Sequence, residues 1–135
     1  MARAKEKTLS LLGSVAFPLD AVAGTELAIY TVPTGKKAVP VMVILHSFDE
    51  AVDEAVVTFG KTGGDCDEFL GNQTLTNVGA GFADEVLICQ PIPNATPVAA
   101  LLLDAAESFG AEITTAETTG NAACVADLWG YEKDA

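Results

Sequence analysis

Histidine is almost missing from this chain: among 135 residues, His46 stands alone. A metal site in a β-rich enzyme ordinarily draws on several imidazoles. A multi-histidine cage is therefore excluded, and no metal or other cofactor is expected. Cysteine is scarce and odd in number. Cys66, Cys89 and Cys124 lie far apart, with no CxxC pair. That pattern supplies neither a zinc ribbon nor a disulfide framework, and reduced thiols in a chain made in the cytosol are expected. Bases are few, 7 Lys and Arg against 19 Asp and Glu, for a formal net charge of -12. Such a body repels phosphate backbones and anionic lipid, so neither nucleic acid nor membrane is expected as a partner. No apolar run reaches the ~18 residues of a membrane-spanning helix. Residues 8–15 are too polar for the apolar core of a signal peptide.

What is present is apolar. Hydrophobic residues make up 50% of the chain and the mean hydropathy is +0.34. A chain of 135 residues reads as one domain that buries roughly two-thirds of its unfolded surface. This much apolar surface on so acidic a protein points to contact with another subunit. The charge is also segregated. Residues 1–7 hold Arg3, Lys5 and Lys7 against Glu6, a net +2, which leaves -14 on the rest. A basic arm on an acidic body is placed to reach an acidic neighbour.

The punctuation is that of an all-β protein. Gly-, Pro-, Asn- and Asp-rich clusters recur every dozen or so residues, separated by short runs rich in Val, Ile, Leu and Thr. Strands are expected near 8–17, 25–32, 37–48, 55–61, 74–78, 84–90, 97–103, 109–115 and 123–131. Residues 1–24 form an N-terminal arm and first strand, and 25–135 a sandwich domain. An antiparallel, jelly-roll-like β-sandwich with an extended arm accommodates these strands. In the 37–48 run, simple alternation sets Val39, Val41, Val43 and Leu45 on one face and Pro40, Met42 and Ile44 on the other. Both faces are apolar, so both should be covered. Pro40 requires an edge or a bulge.

The most chemical-looking stretch is VVTFGKTGGDCDEF, residues 56–69. Gly60-Lys61-Thr62 matches the end of a phosphate-binding loop. That loop needs a glycine five residues earlier and a helix afterwards. Ala55 stands at the first position, and Gly63-Gly64 oppose the helix. Asp65, Asp67 and Glu68 lack the spacing of a calcium loop and read as a solvated hairpin tip. His46 is expected at a strand end, hydrogen-bonded or wet. The adjacent acid pairs Asp49/Glu50, Asp53/Glu54 and Asp84/Glu85 would alternate across a strand and form no local dyad. No nucleophile sits in a G-x-S-x-G elbow. No catalytic set emerges, and the chain is not expected to be an enzyme.

Residues 28–39, AIYTVPTGKKAV, followed by the strand ending VVTFG (56–60) and the closing VADLWGY (125–131), resemble a pattern found in small β-rich structural proteins of tailed bacteriophages. The resemblance spans roughly 25–131. It implies a jelly-roll domain of the capsid decoration or head-fibre type, often trimeric, on the capsid surface of a virion and made in the host cytoplasm. Its implied partners are further copies of itself and the major capsid protein. The runner-up is a receptor- or glycan-binding fibre or spike module, with Trp129 and Tyr131 on one strand face as its platform. The candidate interface comprises Arg3, Lys5, Lys7, Leu9 and Leu11 of the arm and first strand, the turn lysines Lys36 and Lys37, Met42 and Ile44, and Trp129 and Tyr131.

Overall fold

A computed structural model describes residues 8–76, 78, 85–91, 101–118 and 122–135. Among them are eight strands and no helix: β1 (Ser10–Pro18), β2 (Glu26–Thr31), β3 (Lys36–His46), β4 (Val56–Lys61), β5 (Leu70–Thr74), β6 (Val86–Cys89), β7 (Ser108–Thr115) and β8 (Ala123–Asp134). They form two antiparallel four-stranded sheets. Sheet A has the order β1-β8-β3-β6 and sheet B the order β2-β7-β4-β5. Of the connections between consecutive strands, only β4–β5 stays within one sheet. The others cross between sheets, which is the winding of a jelly roll.

The core lies between the sheets. Phe17, Val43, Leu45, Ala126 and Leu128 of sheet A meet Val57, Phe59, Phe109, Ala111 and Ile113 of sheet B, all at most 1% exposed. Phe69 packs edge-on against Phe109, with ring centroids 5.3 Å apart. Each fully buried Leu, Ile or Phe contributes about 1.5–3 kcal/mol relative to exposure. At one corner β1 passes so close to β2 that a Cβ on Gly13 would lie 2.3 Å from the Ile29 carbonyl oxygen. Only glycine permits that approach.

The edges of the sheets are blunted. β1 carries a register shift between Leu11 and Gly13, and β2 one between Ala28 and Tyr30. β5 and β6 are short. Bulges and short edge strands discourage strand-to-strand pairing between molecules, so faces rather than edges are left for association.

Three sequence expectations change. First, the ladder expected at 74–78 begins earlier, at Leu70–Thr74. Leu70 pairs with Phe59 and Gln73 with Val57. Gly71 and Asn72 are exposed on an edge strand, where turn-prone residues are tolerated. Val78 still contributes one bridge, to Val52. Second, most of the strand expected at 97–103 lies outside the described residues; Leu103 makes a single bridge to Ala38. Third, β3 does not alternate evenly. Its register against β8 shifts between Pro40 and Met42. This bulge resolves the missing Pro40 N–H and reverses the alternation. Ala38 and Pro40 therefore join Val43 and Leu45 as buried residues, while Val39 joins Met42 and Ile44 on the outer face.

Candidate functional site

The Gly-Lys-Thr segment ends β4 and turns through residues 62–65. A phosphate loop requires free backbone N–H groups. Here carboxylates already occupy them. The Lys61 N–H donates to Glu68 Oε2 at 3.0 Å, and the Gly63 N–H donates to Glu26 at 3.2 Å. The Thr62 N–H donates to the Ser108 carbonyl, and Lys61 Nζ pairs with Glu107 at 3.0 Å. The loop folds back over the outside of sheet B, against two glycines. A Cβ on Gly60 would lie 2.8 Å from the Glu68 nitrogen, and one on Gly110 2.7 Å from Thr62 Cγ2 as well as 2.2 Å from the Leu27 carbonyl oxygen of β2. Cys66 is fully buried in this loop. Burial, with Glu26, Glu68 and Glu112 nearby, pushes its thiol up to about 12. Among the described residues no group of three potential ligands is placed to hold a metal ion.

The acids of the β3–β4 loop also serve the backbone. Glu117 is 3% exposed. Its Oε2 accepts the Asp53 and Glu54 N–H groups at 2.9 and 3.1 Å. Glu54 reciprocates by accepting the Thr118 hydroxyl and N–H, and these bonds hold its carboxyl below the usual range. Asp49 Oδ1 accepts the Ala123 N–H at 2.7 Å. The sequence segments 19–25, 47–55, 75–85 and 116–122, between β1 and β2, β3 and β4, β5 and β6, and β7 and β8, contain no Lys or Arg. Lys36 pairs with Asp134, and Lys37 lies 3.7 Å from Asp104. Lys36 and Lys37, expected at an interface, thus have partners within their own chain.

The outer face of sheet A is different. β8 turns Val125, Asp127, Trp129 and Tyr131 outward, alternating with buried Cys124, Ala126, Leu128 and Gly130. Register sets Leu11 and Met42 on either side of Trp129, Ser14 and Ile44 on either side of Asp127, and Val39 beside Tyr131. β6 adds Ile88 beside Ile44 and Val86 beside His46. Leu11, Val86, Ile88 and Tyr131 are 46%, 59%, 56% and 36% exposed. The Trp129 indole N–H is buried among these neighbours without an acceptor.

One polar cluster interrupts this face. Asp127 accepts from the Ser14 hydroxyl at 2.5 Å and pairs with His46 Nε2 at 2.8 Å. His46 Nδ1 lies 2.9 Å from Ser47 Oγ, and Ser47 has a left-handed backbone, φ 56°. His46 ends β3, hydrogen-bonded as the sequence suggests. The cluster sits on a sheet face rather than in a cleft, and its Asp127 is spent on Ser14 as well as on His46.

Of the residues singled out from sequence, Leu11, Met42, Ile44, Trp129 and Tyr131 are brought together on this one face. Leu9 is half-buried just before β1. Arg3, Lys5 and Lys7 lie outside the described residues. Sequence reading missed Val86 and Ile88. Their signal was the unbroken apolar run Val86-Leu87-Ile88-Cys89, apolar on both faces as in β3.

No family model matches the chain, and no curated protein matches it. Among solved structures it is similar to a chain titled as the capsid of Ralstonia phage GP4, with a TM-score of 0.57 and 16% identity, over 96% of this chain and 86% of that one. At that identity, what the two chains share is the fold.

Proposed function

We propose that this chain is a non-enzymatic structural protein of a bacteriophage particle, made in the host cytoplasm and carried on the capsid surface as a decoration (cement) protein. It associates with further copies of itself, as a trimer, and with the major capsid protein. The observation that carries this reading is the bare apolar face of sheet A on an otherwise acidic protein whose fold resembles that of a phage capsid chain over nearly its whole length. A soluble monomer rarely exposes so continuous an apolar patch. Of the carboxylates singled out in the sequence, Asp49, Glu54 and Glu68 accept backbone N–H groups.

The glycan-binding alternative is less favoured. Trp129 and Tyr131 do share a face, but a sugar also needs convergent polar groups, and Ser14, Asp127 and His46 are satisfied by one another.

The test is co-sedimentation of the purified protein with assembled capsids, followed by imaging of the decorated particle. Saturable binding at many equivalent positions over the shell is expected. Absence of binding, or density confined to a vertex or tail, defeats the proposal. Because β1 is built into sheet A, the arm is tested by deleting residues 1–7 only. That deletion is expected to weaken capsid binding more than Lys61→Ala does.

A further inference from the structure

The acidic charge of the body makes close approach of two copies unfavourable over most of its surface. The outer face of sheet A is the exception. From Leu11 to Ile88 its one carboxylate is Asp127, and that group is already bonded to Ser14 and His46. Lys37 and Lys133, paired across β3 and β8, border the face, with Asp104 beside Lys37. Blunted edges on both sheets remove strand pairing as an alternative.

The dimensions also suffice. Strands spaced at about 4.8 Å, with β8 rising about 3.3 Å per residue, give roughly 500 Å² in projection. Two such faces together bury on the order of 1,000 Å², which reaches the lower bound of a specific interface. Trp129, an aromatic residue central in its row, has the character of an interface anchor.

We infer that the outer face of sheet A is the surface on which a second copy of this chain docks, with Trp129 as its anchor and Leu11, Met42, Ile44, Val86 and Ile88 as its apolar field. This inference rests on the self-association half of the proposed function and assigns it a location, with one change: a face that meets its own copy closes about a two-fold axis as a dimer rather than as a trimer. Two apolar sheet faces meet at about 10 Å separation, as in the interior of a sandwich. The Ser14–Asp127–His46 cluster, the one polar island on the face, fixes the docking register.

The test is sedimentation analysis of the full chain across a wide concentration range, with Ile88→Glu, Leu11→Glu and, as a control on the edge of sheet B, Thr74→Glu. Ile88, Leu11 and Thr74 are exposed within the protomer, so folding should survive, and far-UV circular dichroism checks it. Leu11→Glu stands in should Ile88→Glu fail to fold. The wild type is expected to self-associate, each face variant to weaken association at least about tenfold, and Thr74→Glu to leave it unchanged. A wild type that is monomeric throughout overturns the inference, as does equal weakening by Thr74→Glu. Capsid co-sedimentation separates the two readings. Wild-type self-association without capsid binding defeats the decoration role and leaves the docking face standing. A face variant that keeps its oligomeric mass but loses capsid binding assigns the face to the shell protein and overturns the inference.

Discussion

On the outside of sheet B, Glu26, Glu112 and Thr58 lie along adjacent strands, and the β4–β5 loop folds over them and seals Cys66 and Thr58 from solvent. On the outside of sheet A, Leu11, Ile88 and Val86 lie open, and no described loop covers them. Both sheets present apolar inner faces to the same core. They differ in what was done with the second face. Sheet B carries acids and glycines that accept a loop of its own chain. Sheet A carries large apolar residues that suit a loop, sheet or arm from elsewhere. A protein can thus keep one face of a sandwich for itself and leave the other for assembly.

The comparison is broken most severely by adding bulk to sheet B. Gly110→Ala places a methyl 2.2 Å from the Leu27 carbonyl oxygen. It is expected to cost about 3 kcal/mol or more, read as a lowered urea midpoint. Ala16→Val, a comparable addition on exposed β1, should change stability by no more than about 0.5 kcal/mol. Equal costs would erase the distinction.

Alkaline pH probes the thiols sealed behind each sheet. Burial raises Cys66 and Cys124 to about 12 and Cys89 to about 11, above the usual thiol range. Below pH 9 both folded and unfolded thiols hold their protons, so these groups add no pH dependence. Above pH 9 the unfolded chain loses protons that the native state keeps, and stability falls until pH 11–12. The melting temperature should drop over that window, and less steeply in Cys66→Ala. A flat profile counts against the burial of the thiols.

Glu68→Ala removes the acceptor for the Lys61 N–H and should cost about 1 kcal/mol. Its sharper readout is thiol chemistry. Cys66 should react with a soluble disulfide reagent about fivefold faster as the loop opens more often. An unchanged rate means that Gly60, Gly110 and Glu26 hold the loop without Glu68.

The smallest effect is expected on sheet A. Asp127→Leu releases Ser14 and His46, both of which reach water, so stability should change by less than about 1 kcal/mol. Self-association should tighten while losing its fixed register, visible as larger and more heterogeneous assemblies in sedimentation. A uniform assembly of unchanged size would deny the polar cluster any role in registry.

Much of the architecture was legible in sequence because β-branched runs and Gly- or Pro-rich turns are local signals. The strand containing Val43 and Leu45 announced its two apolar faces, and with them the need for a partner. Pro40 announced an edge or a bulge, but local pattern could not choose between them or say where the alternation would reverse, since that depends on register against β8. Nor could it reveal that Glu26, Glu54, Glu68 and Glu117 accept backbone N–H groups from elsewhere. The Glu68 bond closes within the β4–β5 loop, and the others join positions that the crossing topology brings together. Val86 and Ile88 escaped notice because four apolar residues read equally well as core.

Sheet A also has a consequence in time. β8, the last strand of the chain, lies between β1 and β3 rather than at an edge. Neither neighbour can complete its ladder until residues 123–134 have been synthesised. During translation Phe17, Val43 and Leu45 therefore wait without their sheet, and contacts of such long sequence separation form slowly. The proposed docking face is assembled by the same strand. A nascent chain cannot present Trp129 beside Leu11 and Met42 before β8 is in place, so docking on that face, as proposed, would have to follow folding.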